Sequence, residues 1–380
     1  ADVRVDRGEL ADVANPVIAC DDQHVWMAWE DDRDGDLKNH QIYVARSADI
    51  GQSFSAEWVV DADIDGESMS LGPQIAVDAE RVHVAWFDNR NGAFDIFTVT
   101  SVDAGQSFSE PLRLGVDLPG GAYSAWPSID ADNGTVAVVW EDSRNGRSDI
   151  YGACSDDGGA TFDAEARLDT ADFPGLSHSF GPRVAVDAGS LHAVWQDEAS
   201  GAGDDIYTAY GGCDGWMPAV RVNTSRPGFF ESSTPVIAAA GTSAHIAWAD
   251  GRNGNLDIYY RTVVAGLPTG ADIRLDVGDL AGFSHSLNPA LTYDADSNAL
   301  AVAWRDDRAD TDGDGYADLF YNYMGPARPF GPTDLRIDVM ADGESFKNDL
   351  QIALSGPDLL AAWSDGRNGT ADVYFHRVTP

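Results

Sequence analysis

The stretch WFDNRNGAFDIF, running from Trp86 to Phe97, decides the fold, because variants of it start six more times along the chain. They are WEDDR at Trp29, WEDSRNGRSDIY at Trp140, WQDEASGAGDDIY at Trp195, WADGRNGNLDIY at Trp248, WRDDRADTDGDGYADLF at Trp304 and WSDGRNGTADVY at Trp363. The separations of 57, 54, 55, 53, 56 and 59 residues describe one supersecondary unit repeated seven times with small insertions. Within each unit a segment such as PQIAVD precedes one such as VHVAW, then come the polar turn, a segment opening DIY, and a last one such as LRLGV. Alternation of Val, Ile and aromatic residues between Gly, Asn and Asp is the mark of strands, and no stretch carries helical spacing. Four antiparallel strands per repeat make a propeller blade, so the reading is an all-β, seven-bladed β-propeller of four-stranded antiparallel blades.

The fourth strand appears as EWVVD, LRLGV, ARLDT, VRVNT, IRLDV and LRIDV after the third strands of repeats one to six, and no counterpart follows the seventh. DVRVD, Asp2 to Asp6, has the same pattern ahead of the first complete unit. The N-terminal strand is therefore expected to complete the last blade and cover its open edge. The chain reads as one domain: residues 1–6 as the outer strand of blade 7, then blades at 7–62, 63–117, 118–170, 171–224, 225–277, 278–339 and 340–380.

With 24 basic and 63 acidic side chains the formal net charge is −39, which excludes nucleic acid as a natural partner because phosphate binding needs a basic footprint. There are 52 Asp against 11 Glu and 22 Arg against 2 Lys, a bias toward short, turn-forming, metal-ligating carboxylates that a high-salt habitat would also favour. A hydrophobic content of 43% supplies a full core, and no run approaches the roughly 18 apolar residues of a bilayer span, so no membrane insertion is expected. The opening at Ala1 suits a mature secreted protein after leader cleavage. Cys20, in an apolar strand, reads as a buried thiol, whereas Cys154 and Cys213 are either bonded or separate.

In the repeated turn the first acid is Asp31, Asp88, Asp142, Asp197, Asp250, Asp306 and Asp365. The basic position is Arg33, Arg90, Arg144, Arg252, Arg308 and Arg367, with Ala199 the exception. The second acid is Asp95, Asp149, Asp205, Asp257, Asp318 and Asp372, with Gln41 in the first repeat. A guanidinium held between the two carboxylates is expected, with Asn-Gly supplying positive backbone dihedrals. Seven equivalent copies are what architecture needs; catalysis needs a single asymmetric constellation.

After the third strand come SADIGQSF (Ser47 to Phe54), SVDAGQSF (Ser101 to Phe108) and SDDGGATF (Ser155 to Phe162). These resemble the Asp box of the sialidase-like, or BNR-repeat, propellers, S-x-D-x-G-x-T/S-W/F; a fourth copy around CDGW, Cys213 to Trp216, is degenerate. The resemblance implies a structural turn built on a buried Asp with an aromatic anchor. It covers the blade plan and not the active site. The enzymes of that family are six-bladed and use an arginine triad, an N-terminal F/Y-R-I-P-type segment, a Tyr-Glu nucleophile pair and an acid Asp. No such segment is found here, and the arginines are mostly repeat residues, including Arg4, Arg113, Arg167, Arg221, Arg274 and Arg336 in the fourth strands.

Repeat six carries an insertion, DTDGDGYAD, that sets Asp310, Asp312, Asp314 and Asp318 at loop positions one, three, five and nine, with the Tyr316 carbonyl available beside them. Hard oxygen ligands at this spacing fit calcium, with a weaker match at Asp61, Asp63 and Asp65. Filled calcium sites of modest affinity imply a secreted or cell-surface location.

Singular chemistry is sought where the copies differ. Four residues before the proline that opens each first strand stand Asp12, Met69, Tyr123, His178, Glu231 and His285, with Phe346 equivalent in repeat seven. His178, Glu231 and His285 could ligate a metal or do acid-base work, with Tyr123 beside them as a catalytic candidate; Tyr123, Trp126 and Phe230 could form an aromatic platform for a sugar. The expectation is a secreted, calcium-stabilised binding or scaffold module for glycan or protein. The alternative is a polysaccharide hydrolase or lyase working at the channel mouth.

Overall fold

A computed structural model describes residues 5, 13–21, 23–33, 40–49, 51–61, 68–308, 317–325, 329–338, 347–355, 358–365 and 372–378. Among them the regular elements are strands, arranged in seven antiparallel sheets that are the blades of a seven-bladed β-propeller. Blade 2 shows the plan: Ser70–Asp78, Arg81–Asp88, Asp95–Ser101 and Leu112–Leu114, each strand bonded to the next. Fourth strands are short, except in blade 5, where Leu267–Arg274 is full length. In blade 4 the outer position is divided between Gly215–Trp216 and Val220–Arg221, both paired with Asp205–Gly212.

Blade 7 has the described strands Lys347–Ser355, Asp358–Asp365 and Asp372–Val378. The segment expected to complete it lies outside the described residues except for Val5. That side chain joins the cluster of Trp29, Tyr43 and Ala45 in blade 1, as Leu114 of blade 2 joins Trp140, Tyr151 and Ala153 of blade 3.

The chain divides into two compact units, Ala1–Ala193 with Ala209–Ala219, and Val194–Thr208 with Val220–Pro380. The core of the first includes a cluster joining Val44 and Val60 of blade 1 to Trp86 and Val99 of blade 2. In the second, Val194 and Val222 meet Ile246 and Trp248, while Leu275 meets Val302 and Trp304.

Period-two geometry explains why the repeat begins W-x-D. Residues two apart share a face of the strand, so the buried indole N–H can donate to the carboxylate two residues on, as Trp195 does to Asp197 at 2.9 Å and Trp248 to Asp250 at 3.0 Å. The first strands of blades 1, 2, 3, 5 and 6 break register next to their prolines, and in all of blades 1 to 6 the residue before that proline is left-handed: Asn15, Gly72, Trp126, Gly181, Thr234 and Asn288, with φ from 49 to 61°.

Three expectations are refined. Cys20 is exposed, because the burial pattern of Val13–Cys20 alternates and puts Ile18 and Cys20 on the solvent side. Cys154 and Cys213 are bonded, with Cα atoms 5.2 Å apart. In the described Asn-Gly polar turns of the repeat only the glycine is left-handed, at Gly92, Gly146 and Gly254; the asparagine contributes its side chain instead.

Candidate functional site

The repeated polar turn satisfies itself. In blade 3, Asp142 accepts the Arg144 backbone N–H at 2.9 Å, its Nη2 at 2.5 Å and the Ser124 hydroxyl at 2.8 Å. The guanidinium lies 4.1 Å above the Tyr151 ring and reaches Glu165, not the second acid of the turn. That second acid, Asp149, takes Asn145 Nδ2 at 2.7 Å, the Gly175 N–H at 2.9 Å and Arg167 at 3.4 Å. The expected clamp between two turn acids is thus corrected. Stacking on the third-strand aromatic carries the arginine outward, to an acid two residues before the fourth-strand arginine. Arg252 meets Asp272 and Arg308 meets Asp334 in the same way, and Arg33 meets Glu57 although Val59 stands where the fourth-strand arginine would be. Blade 4 has Ala199 at the turn and Ala219 at the paired position, so both halves of the interaction are lost together.

The three Ser-x-Asp-x-Gly turns share one geometry. In the second, Ser101 Oγ donates to Asp103 at 2.8 Å and accepts the Gly105 N–H at 2.8 Å, while Asp103 takes the Ser107 N–H at 2.9 Å and its hydroxyl at 2.6 Å. Here the serine is buried and the aspartate faces solvent, the reverse of the burial expected. Hydrogen bonds from Ser107 and then Ser101 hold the Asp103 carboxyl down at about 2.

Of the metal candidates, Asp310, Asp312, Asp314, Tyr316, Asp63 and Asp65 lie outside the described residues. Asp318 is buried and accepts Arg336 at 2.9 Å; Asp61 is buried and accepts the Ile42 N–H at 3.1 Å. Both are occupied by the repeat network. Among the described residues no group of three or more His, Cys, Asp and Glu side chains is placed to hold a metal ion.

Of the loop residues, Asp12 and Phe346 also lie outside the described residues. His178, in the first unit, is half-buried with Nδ1 3.2 Å from the Ser148 hydroxyl. In the second unit, His285 is exposed and its N–H donates to Asp307 at 2.6 Å, Glu231 is exposed, and Phe230 packs edge-on against Phe229 at 4.8 Å. His178, through its ring, and His285, through its backbone, are thus tied to the neighbouring polar turns.

Tyr123 and Trp126 are different. They are 44% and 54% exposed and stand on one aromatic chain: Tyr123 edge-on to Phe94 at 5.5 Å, Phe94 to Phe87 at 5.2 Å, and Phe87 to Trp126 at 5.3 Å. Trp126 holds φ at 55° directly before Pro127, a conformation that Gly or Asn occupies in four of the six described copies. Beside it, Glu141 pairs with Ala125 across the bulge and accepts the Gly181 N–H at 2.9 Å. Burial pushes the Glu141 carboxyl up, with the Gly181 N–H and Arg183 opposing; burial and then Glu141 push the Tyr123 phenol up. Arg183 is exposed; partial desolvation of its guanidinium lowers its affinity for a proton while Glu141 opposes the shift. An exposed aromatic face, a carboxyl group and a guanidinium thereby share one rim of the first unit.

Phe87, Phe94, Glu141 and Arg183 were not singled out from sequence, although a signal existed. The middle residue of W-x-D reads Glu30, Phe87, Glu141, Gln196, Ala249, Arg305 and Ser364, and the residue after the opening proline reads Val17, Gln74, Ser128, Arg183, Val236 and Ala290, with Gln351 after Leu350. Both positions vary inside an otherwise regular repeat, and Arg183 is the one charge in its series.

Fold and blade plan together define a seven-bladed β-propeller of antiparallel blades. No family model matches the chain, and no curated protein matches it. Among solved structures, Trypanosoma rangeli sialidase in complex with the inhibitor DANA is similar with a TM-score of 0.52 at 10% identity, over 97% of this chain and 55% of that one. The GH93 α-L-arabinofuranosidase of Fusarium graminearum, in complex with arabinobiose, is similar with a TM-score of 0.50 at 14% identity, over 82% of this chain and 93% of that one. A Hadza microbial sialidase gives 0.48 at 13% identity, over 97% of this chain and 65% of that one. The chain thus spans less than two thirds of the length of either sialidase, and at such identities what is shared is the fold.

Proposed function

We propose that the protein is a glycan-binding propeller whose ligand lies over Trp126 and Tyr123, with Glu141 and Arg183 meeting its polar groups. The observation that carries this reading is the exposed indole held in a backbone conformation that disfavours it: strain of this kind is kept where a side chain is needed. Flat aromatic faces flanked by a few directed polar groups suit a sugar ring. The arabinobiose held by one similar structure, and the sialidase activity named for the other, support a glycan as the ligand class.

A second reading is favoured by one observation. Burial pushes the Glu141 carboxyl up, and a carboxyl shifted in that direction is the type of group that serves as the acid in glycoside hydrolysis. Secretion belongs to the same proposal, as does calcium held by Asp310, Asp312 and Asp314; the calcium part is tested by melting the protein with and without a chelator. For the ligand, affinity electrophoresis against a polysaccharide panel, with release of reducing ends followed in parallel, is the direct experiment. Retention lost in Tyr123→Ala supports binding, and turnover lost in Glu141→Gln makes the protein an enzyme. No retention and no turnover across the panel overturns the glycan reading.

A further inference from the structure

Among the described residues, the four loops that lead from the fourth strands of blades 2 to 5 to the next first strands repeat one turn and carry exposed apolar side chains. The N–H of Gly121, Leu176, Phe229 and Phe283 donates to the carbonyl three residues earlier, of Leu118, Phe173, Arg226 and Leu280, at 2.8 to 3.2 Å. Leu118, Phe173 and Leu176 in the first unit, and Phe229, Leu280 and Phe283 in the second, are 58 to 80% exposed.

These loops are held from several directions. Arg113, Arg167 and Arg274 grip Asp117, Asp172 and Asp279 at 2.6 to 3.0 Å. The second acid of each polar turn takes the N–H of the loop glycine, at 3.0 Å for Gly120 and 2.9 Å for Gly175, Gly228 and Gly282. Those glycines are left-handed, and a Cβ at Gly175 would stand 2.1 Å from the Asn145 carbonyl oxygen. The apolar tips are therefore fixed in water and forgo much of the burial that such side chains ordinarily gain. Ordered apolar groups repeated on a soluble surface mark an interaction site, and preorganisation lowers the entropy lost on binding.

We infer that, within each unit by itself, these tips dock a polypeptide segment that is cationic and carries large apolar side chains. Leucine and phenylalanine tips call for apolar partners, and the chain's net charge of −39 selects among their sources. It opposes a second copy of this chain and an anionic lipid surface, and it draws a basic segment.

The test uses the intact protein and two synthetic probes, an amphipathic leucine-lysine peptide and its leucine-to-serine counterpart of equal charge, with binding read by fluorescence anisotropy. The wild type is expected to bind the leucine-lysine peptide about tenfold more tightly than the serine-lysine one. Combining Phe173→Ser, Leu176→Ser, Leu280→Ser and Phe283→Ser should erase that difference while leaving serine-lysine binding and the melting temperature unchanged, since all four side chains are exposed. Equal binding of both peptides by the wild type, or a preference that survives the substitutions, overturns the inference. So do self-association in sedimentation, or flotation with phosphatidylcholine vesicles, if the same substitutions abolish it.

Discussion

Replacing Trp126 by glycine separates a side chain kept for binding from one kept for architecture. Gly72 and Gly181 already fill this position in neighbouring blades, so the backbone accepts the change. Releasing a left-handed non-glycine residue returns about 1–2 kcal/mol. Against this, the contact with Phe87 is lost, about 0.5–1.5 kcal/mol, and a glycine adds about 0.4–1 kcal/mol of unfolded-state entropy. The terms cancel within about 1 kcal/mol, so the melting temperature should move by no more than about 3 °C. Binding is a different matter, because a stacked tryptophan at the centre of a ligand site is worth about 2 kcal/mol or more, or roughly 30-fold in Kd. Scanning calorimetry and titration calorimetry on the same preparation read both quantities, with the polysaccharide best retained in the panel as ligand. A Kd within about twofold of wild type would refute the assignment, and a melting temperature lower by about 5 °C or more would show that the indole serves the fold.

Arg144→Ala strands Asp142 and Glu165, both nearly inaccessible, and should cost about 3–5 kcal/mol in denaturant unfolding; adding Glu165→Ala should recover part of the loss, as blade 4 with Ala199 and Ala219 suggests. Breaking the Cys154–Cys213 bond with the double serine variant removes a cross-link spanning 59 residues and should lower stability by up to about 4 kcal/mol, with no further effect of reductant on that variant. Burial, with Asp257 and Asp306 close by, holds the Asp276 carboxyl well above its ordinary 3.8. The folded chain therefore keeps a proton that the unfolded chain has released, and stability falls as pH climbs from the unfolded value through the folded one. Asp276→Asn copies the amide already present at Asn223, so its melting temperature relative to wild type should rise between about pH 4 and about pH 8, and a flat difference would contradict the assignment.

The blade plan was legible because strand period, tryptophan spacing and turn residues all agree within every repeat, and seven copies average out local irregularities. The polar wiring was less so. Asp142, Arg144 and Asp149 are neighbours in sequence, which invited a clamp among them, but stacking on Tyr151 sends the guanidinium to Glu165, a partner 21 residues away. Tyr123 and Trp126 were found by aligning the loops on their prolines. Glu141 and Arg183 were missed because each looks like an ordinary strand residue until the bulge and the neighbouring strand's Gly181 bring them together. Burial of Cys20 was misjudged because an apolar segment does not reveal which of its two faces meets water.

The central claim is that residues shared by the repeats build the propeller and those that differ at the rim of the first unit bind the ligand. A crystal structure of the protein soaked with the oligosaccharide it retains best tests this directly. The account predicts a sugar ring stacked on the Trp126 indole beside Tyr123, with a hydroxyl directed at Glu141. A sugar seated instead at Glu231 and His285, with the rim of Trp126 unoccupied, would contradict it.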